Sequence, residues 1–229
     1  MEHPFLFLSK LFELIGLGSF AHHYPHVVYS WFIMLFLIVV GKLCAGAVKM
    51  IPSGGQNFFE MVISGIEDFQ ISIMGEEGRP FFPLIATLGL YILCCNWIGL
   101  IPGMLSPTAN INTPLSCALV VFVVTHAVGL KEHGPKYIKH FTGPIWWMVP
   151  LMLPIELIGH LSRVLSLTFR LFGNIMGEDL VLAILLFLAG KFLAPVPMMF
   201  LAIFTSFVQA FIFSLLTMMY IAGSLEESH

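Results

Sequence analysis

Leu165-Ser166-Leu167-Thr168-Phe169-Arg170-Leu171-Phe172-Gly173-Asn174 carries one permanent positive charge through residues that otherwise belong in hydrocarbon. An arginine at the centre of a bilayer costs about 2.5–3.5 kcal/mol on insertion scales and about 10–17 kcal/mol in simulations of an isolated helix. Arg170 must therefore face protein or water, and its position makes it a functional candidate. The apolar stretch around it, 144–190, is too long for an upright helix. At about 1.5 Å per residue even 40 helical residues extend about 60 Å, against a hydrocarbon core of about 30 Å. The segment must tilt steeply, bend or break. Its polar residues are phased: at about 100° per residue Glu156, Arg163 and Asn174 fall within about 40° of Arg170, with Ser166 one turn away on the same side. Such a stripe is built to face one partner.

The rest of the composition fits the same solvent. The chain is 58% hydrophobic and 10% charged, has a mean hydropathy of +0.94, and holds 22 Phe in 229 residues, which is the make-up of a single integral membrane domain. Cys44, Cys94, Cys95 and Cys117 sit in apolar runs without metal-ligand spacing and read as small buried hydrophobes. A net charge of -3 spread over loops and termini excludes a nucleic-acid footprint. Glu2, Lys10 and Glu13 interrupt the N-terminal apolar residues, unlike a cleavable signal.

Five crossings follow. The first, 27–50, is charge-free from Val27 to Gly41 and ends at Lys42 and Lys49. Residues 80–103 and 112–130 form two more, since no Asp, Glu, Lys or Arg lies between Pro80 and Leu130 and the turn-rich stretch Pro102 to Asn110 divides them. The segments 144–190 and 195–223 complete the set. Between the first two crossings, 55–78 interleaves Glu60, Glu67, Asp68, Glu76 and Glu77 with Phe58, Phe59, Met61, Val62, Ile63 and Ile66. That pattern suits an amphipathic helix at the membrane surface. The expected fold is all-α: five crossings and one interfacial helix, the last two crossings pairing as a long tilted hairpin. Lys42, Lys49 and Arg79 on one side, against an uncharged loop at 102–112, place the N-terminal segment 1–26 outside and the C-terminus in the cytoplasm.

Two groups of polar residues flank Arg170. On a regular helix Glu156 lies about 21 Å to one side and Asp179 about 13.5 Å to the other. Asp179 points away from Arg170 while Glu178 points partly toward it, although Gly173 and Gly177 can change the local phase. The last helix places Gln209 mid-span, where it can meet the polar stripe across an antiparallel hairpin and form a hydrated crevice. The plainer reading is that Glu156, Arg163 and Arg170 only join helices, with Arg163 snorkelling to the headgroups.

Arg170-Leu171-Phe172-Gly173-Asn174 followed by Gln209-Ala210-Phe211-Ile212-Phe213 resembles the subunit a family of the rotary (F-type) ATP synthase membrane sector. The resemblance covers most of the chain: the first helix, the amphipathic segment, Asn96 before Gly99-Leu100-Ile101-Pro102, the Pro107 to Asn112 loop, and Glu156 fourteen residues before Arg170. It implies a stator subunit coupling proton flow to rotation and ATP synthesis in a bacterial-type inner membrane. Its partners would be an oligomeric c-ring, peripheral-stalk b subunits and, indirectly, the catalytic head. Arg170 would separate two offset half-channels. Asn174, Asp179 and Gln209 would line the outer inlet, with Asn96 a weaker member, and Glu156, Ser162 and Ser166 would line the cytoplasmic exit. Asp179 stands where many members have Glu, and Ala202 where some have His, so Glu178 is a candidate for the missing titratable group.

Neither a metal nor a cofactor is expected. His22, His23 and His26 suit an interfacial loop better than a metal site, and His126 and His160 suit satisfied bundle positions, with His160 a lesser exit candidate. No phosphate-binding loop is present, so the chain is not expected to hydrolyse ATP itself. The alternative from another class is a self-sufficient proton- or sodium-coupled transporter, which would show internal pseudo-symmetry and paired interrupted helices. A passive scaffold would leave Arg170 and its flanking acids unexplained.

Overall fold

A computed structural model describes residue 8 and residues 18–45, 54–101, 103–134, 149–189 and 195–226. Over these the chain is helical: α1 (Gly18–His23), α2 (Pro25–Ala45), α3 (Gly54–Met74), α4 (Phe82–Ile98), α5 (Asn112–His133), α6 (Val149–Ala189) and α7 (Pro195–Glu226). Short 3-10 turns, Glu76–Phe81 and Pro107–Ala109, precede α4 and α5. Five stretches are long and apolar enough to cross a membrane: Pro25–Leu43, Glu76–Ile98, Asn112–Glu132, Pro150–Leu188 and Pro195–Leu225. The chain is an all-α multi-pass membrane protein. Lys49, used above for orientation, lies outside the described residues, as do 144–148 and the side chains of Cys44, Phe58 and Phe59.

α6 is one unbroken helix; its 41 residues run through Pro154 and extend about 60 Å. A rod of that length crosses a core of about 30 Å only obliquely, or projects beyond it. Its apolar stripe, Val164, Leu167, Leu171 and Ile175, recurs at helical spacing and is buried against Ile92 of α4, Cys117, Ala118 and Val121 of α5, and Ala210 and Phe213 of α7. A second cluster joins α2 to the end of α4, with Val28, Tyr29 and Ile33 against Cys95 and Ile98. Cys95 and Cys117 are free and buried as small apolar groups, and Cys94 is free and half-buried.

Lipid tails are as apolar as leucine, so shape and hydrogen bonds decide how these helices pair. Gly89 sets the α4–α7 approach, since a Cβ there would lie 2.6 Å from Ser214 Oγ. Gly99 does the same for the loop before α5: a Cβ would lie 2.7 Å from that of Ser106. Ser106 donates to the Cys95 carbonyl at 2.8 Å, and Thr108 donates to Asn96 Oδ1 at 2.7 Å. Asn96 in turn donates to the Ser206 carbonyl at 3.3 Å, which ties this loop and α4 to α7.

α3 is the amphipathic helix. Met61, Val62 and Ile63 are exposed, as are Glu60 and Asp68. Phe69 packs in a tilted arrangement against Phe211 of α7, with ring centroids 5.2 Å apart, while Met74 packs with Met218 and Ile221. Gly75, at φ +69°, turns the chain into α4, a conformation that disfavours any side chain. Arg79 is held at that turn by Glu67 at 3.1 Å and Glu76 at 3.6 Å.

Candidate functional site

α6 presents two unlike faces. One is the buried stripe just described; the other carries Gly159, Arg163, Ser166, Arg170, Gly173, Asn174 and Gly177, which share one side at about 100° per residue. Arg163, Ser166, Arg170, Gly173, Asn174 and Gly177 are all exposed. A Cβ added at Gly159, Gly173 or Gly177 meets nothing within 4 Å. The face is thus polar and smooth, and none of the described residues covers it, although it lies within a span whose length and composition suit lipid. Arg170 donates to Ser166 Oγ at 3.4 Å, and among the described residues no carboxylate lies within ion-pair reach of it.

The edge of that face meets α7 in a ladder of polar contacts. Asn174 Nδ2 donates to Gln209 Oε1 at 2.6 Å. One turn on, the Thr205 hydroxyl donates to Glu178 Oε1. Toward the other end the Arg163 guanidinium lies 5.5 Å from the Tyr220 ring centroid, a cation–π contact. These three contacts share one antiparallel register, four or eleven residues along α6 being matched by four or eleven along α7. The register explains why Gln209 is buried although it is an amide in an apolar span.

The structure thus brings together Asn174, Gln209 and Glu178, and sets Arg170 one turn from Asn174. Asp179 is exposed, and among the described residues it makes no side-chain hydrogen bond or ion pair. Its position, about 180° around the helix from Arg170, separates it from Glu178 despite their adjacency. Asn96 is buried in the network with Ser106, Thr108 and the Ser206 carbonyl. On the other side of Arg170, Ser162 is exposed and bonds the Gly159 carbonyl at 2.8 Å. Glu156 lies 3.4 Å from His160 Nε2. Arg163 lies over an aromatic ring of this chain, that of Tyr220.

Sequence reasoning missed Thr205 and Tyr220 as partners, although both lie on the α7 positions that the hairpin register pairs with Glu178 and Arg163. It also missed the meeting of His126 with His160, which no spacing within one helix encodes. Among the described residues no three His, Cys, Asp or Glu side chains group as a metal ion requires. His23 and His26 instead lie beside the Tyr24 ring, at 5.6 and 6.3 Å between ring centroids.

Residues 27–222 match the family model described as ATP synthase A chain. The chain is 60% identical to ATP synthase subunit a of Syntrophobacter fumaroxidans and 58% identical to that of Desulfosudis oleivorans, each over the full length of both proteins. It is 56% identical, again over both full lengths, to ATP synthase subunit a 1 of Pelobacter propionicus. A five-crossing helical chain whose uncovered membrane arginine adjoins an Asn–Gln hydrogen bond, and which matches these proteins from end to end, belongs to the ATP synthase subunit a family.

Proposed function

We propose that this chain is the ion-translocating stator subunit of a rotary ATP synthase, with Arg170 separating two offset half-channels that open to opposite sides of the membrane. The observation that carries this reading is the outward face of α6: a guanidinium within a membrane span, with no carboxylate among the described residues in reach, flanked by glycines that leave open space. A charge so placed calls for a partner bearing the opposite charge. A ring of c subunits, each with one membrane carboxylate, is such a partner.

The chemistry follows from solvation. A ring carboxylate facing lipid stays protonated, because an unpaired charge in low dielectric is too costly. Beside Arg170 the ionised form is favoured and the proton leaves. The same fixed charge repels cations that would pass directly from one half-channel to the other. Flow then requires the ring to turn, and rotation drives ATP synthesis in the catalytic head.

Asn174, Gln209 and Glu178 at the α6–α7 seam line the outer inlet, with Asp179 at its rim and Asn96 walling it through Ser206. Glu156, Ser162 and Ser166 line the cytoplasmic exit. Peripheral-stalk b subunits cover other faces of the bundle. In this orientation the N-terminus lies outside a bacterial inner membrane and the C-terminus inside, in accord with Lys42, Lys49 and Arg79.

Reconstitution separates this reading from a self-sufficient transporter. Vesicles holding the purified chain alone should move no protons or sodium ions, whereas vesicles holding the complete complex should acidify on addition of ATP. Solute or ion transport by the chain alone would overturn the reading.

A further inference from the structure

Two histidines meet where the exit should run. His160 of α6 is buried, its Nε2 lying 3.4 Å from Glu156 Oε1. His126 of α5 faces it, with ring centroids 4.7 Å apart and planes inclined by 65°. The two rings, Thr125, Arg163 and Tyr220 line one small gap between α5, α6 and α7. His160 lies about 15 Å along α6 from Arg170 and about 6 Å before Glu156, so it stands between the charge barrier and the exit carboxylate.

The hydrogen bonding assigns the protons. His126 Nδ1 lies 2.8 Å from the Phe122 carbonyl, which can only accept, so His126 carries its proton on Nδ1 and Nε2 is the nitrogen that gains one. Among the described residues, the titratable and charged groups facing His160 include Glu156 and Arg163 on its own helix, His126 from α5 and Tyr220 from α7. A positive charge on one imidazole is repelled by Arg163 and by a charge on the other. Ionised Glu156 draws an added proton to His160.

Resting on the half-channel reading above, we infer that His160 is a proton-relay residue of the cytoplasmic exit, with His126 as the positioning residue that sets its proton affinity. In the transfer step the His160 Nε2–H bond breaks and a Glu156 Oε1–H bond forms, leaving a neutral imidazole and a carboxylic acid. Glu156 then gives the proton to cytoplasmic water, and His160 takes the next one from the Arg170 side. One proton enters and one leaves, with no other reactant.

The test is proton-driven ATP synthesis by the complete complex in vesicles, with the pH on the cytoplasmic side varied. The wild type should lose rate as that pH falls, with an inflection between about pH 5 and 8, where imidazole titrates. His160→Gln should abolish this inflection and slow synthesis about tenfold, less than the roughly 10²-fold of a positioned acid–base group for which water cannot substitute. His126→Phe keeps the ring packing but removes the competing site, so the inflection should move to higher pH. If His160→Gln prevents assembly, the His126→Phe displacement decides alone. An inflection unchanged in the variants, or absent from the wild type, would overturn the relay. Arg170→Ala in the same assay isolates the parent reading: loss of synthesis there, with His160→Gln unaltered, sinks only the relay, while normal synthesis in Arg170→Ala sinks both.

Discussion

Glu156 and Gln209 show how surroundings set the role of a polar side chain. Glu156 is half-exposed near one end of α6, with His160 beside it, so its carboxylate can exchange protons with water. Glu156→Gln should slow proton-driven synthesis without abolishing it, since Ser162, Ser166 and water remain. It should also change how the rate depends on cytoplasmic pH, because the carboxylate that receives the proton from His160 is gone. Rates measured across pH check this, and an unchanged profile would remove Glu156 from the exit. Gln209 is buried and spends its carbonyl on Asn174. Replacing it with Leu leaves the Asn174 amide without that partner, while a second Asn174→Leu change removes the unpaired group. A double-mutant cycle on unfolding in detergent should therefore give a coupling of about 0.6 kcal/mol, the usual value within membranes. A vanishing coupling would mean that the pair does not hold the hairpin.

The glycines separate packing from function at the level of elements. Gly99 abuts Ser106, whereas Gly173 borders open space on the Arg170 side of α6. Gly99→Val should cost about 1–3 kcal/mol by overpacking and by displacing Ser106 from the Cys95 carbonyl. It should lower the amount of chain recovered in the membrane. Gly173→Leu should leave that amount unchanged and yet slow ATP-driven pumping, because the added side chain projects into the path of the ring. Immunoblotting of membranes alongside pumping assays distinguishes the two, and a stable, fully active Gly173→Leu complex would contradict the ring-facing assignment. The seam itself is open to disulfide trapping. Cysteines at 174 and 209 should cross-link readily, whereas 170 paired with 209 should not, since Arg170 points outward from the hairpin.

Across the whole molecule, what was legible in the chain was what a lipid solvent dictates. Charge-free runs such as Val27 to Gly41 mark crossings because each buried charge is costly, and the phase of Arg163, Arg170 and Asn174 marks one side of α6 because helical periodicity is fixed. The continuity of α6 was not legible, since length alone allows a tilt, a bend or a break. Nor was the environment of Asn96: only the tertiary path of the 103–110 loop brings Thr108 and Ser206 to it. The His126–His160 contact depends likewise on how α5 crosses α6. The described residues leave the Arg170 face of α6 open, and the proposed ring is the partner that would cover it. The initial rate of ATP-driven acidification of vesicles by the purified complex, wild type against Arg170→Ala, weighs this most directly. With subunit composition matched on native gels, the variant should fall at least roughly 10²-fold, as for the loss of a preorganised charge at a reacting centre, while an assembled variant that pumps at the wild-type rate would contradict the role assigned to Arg170.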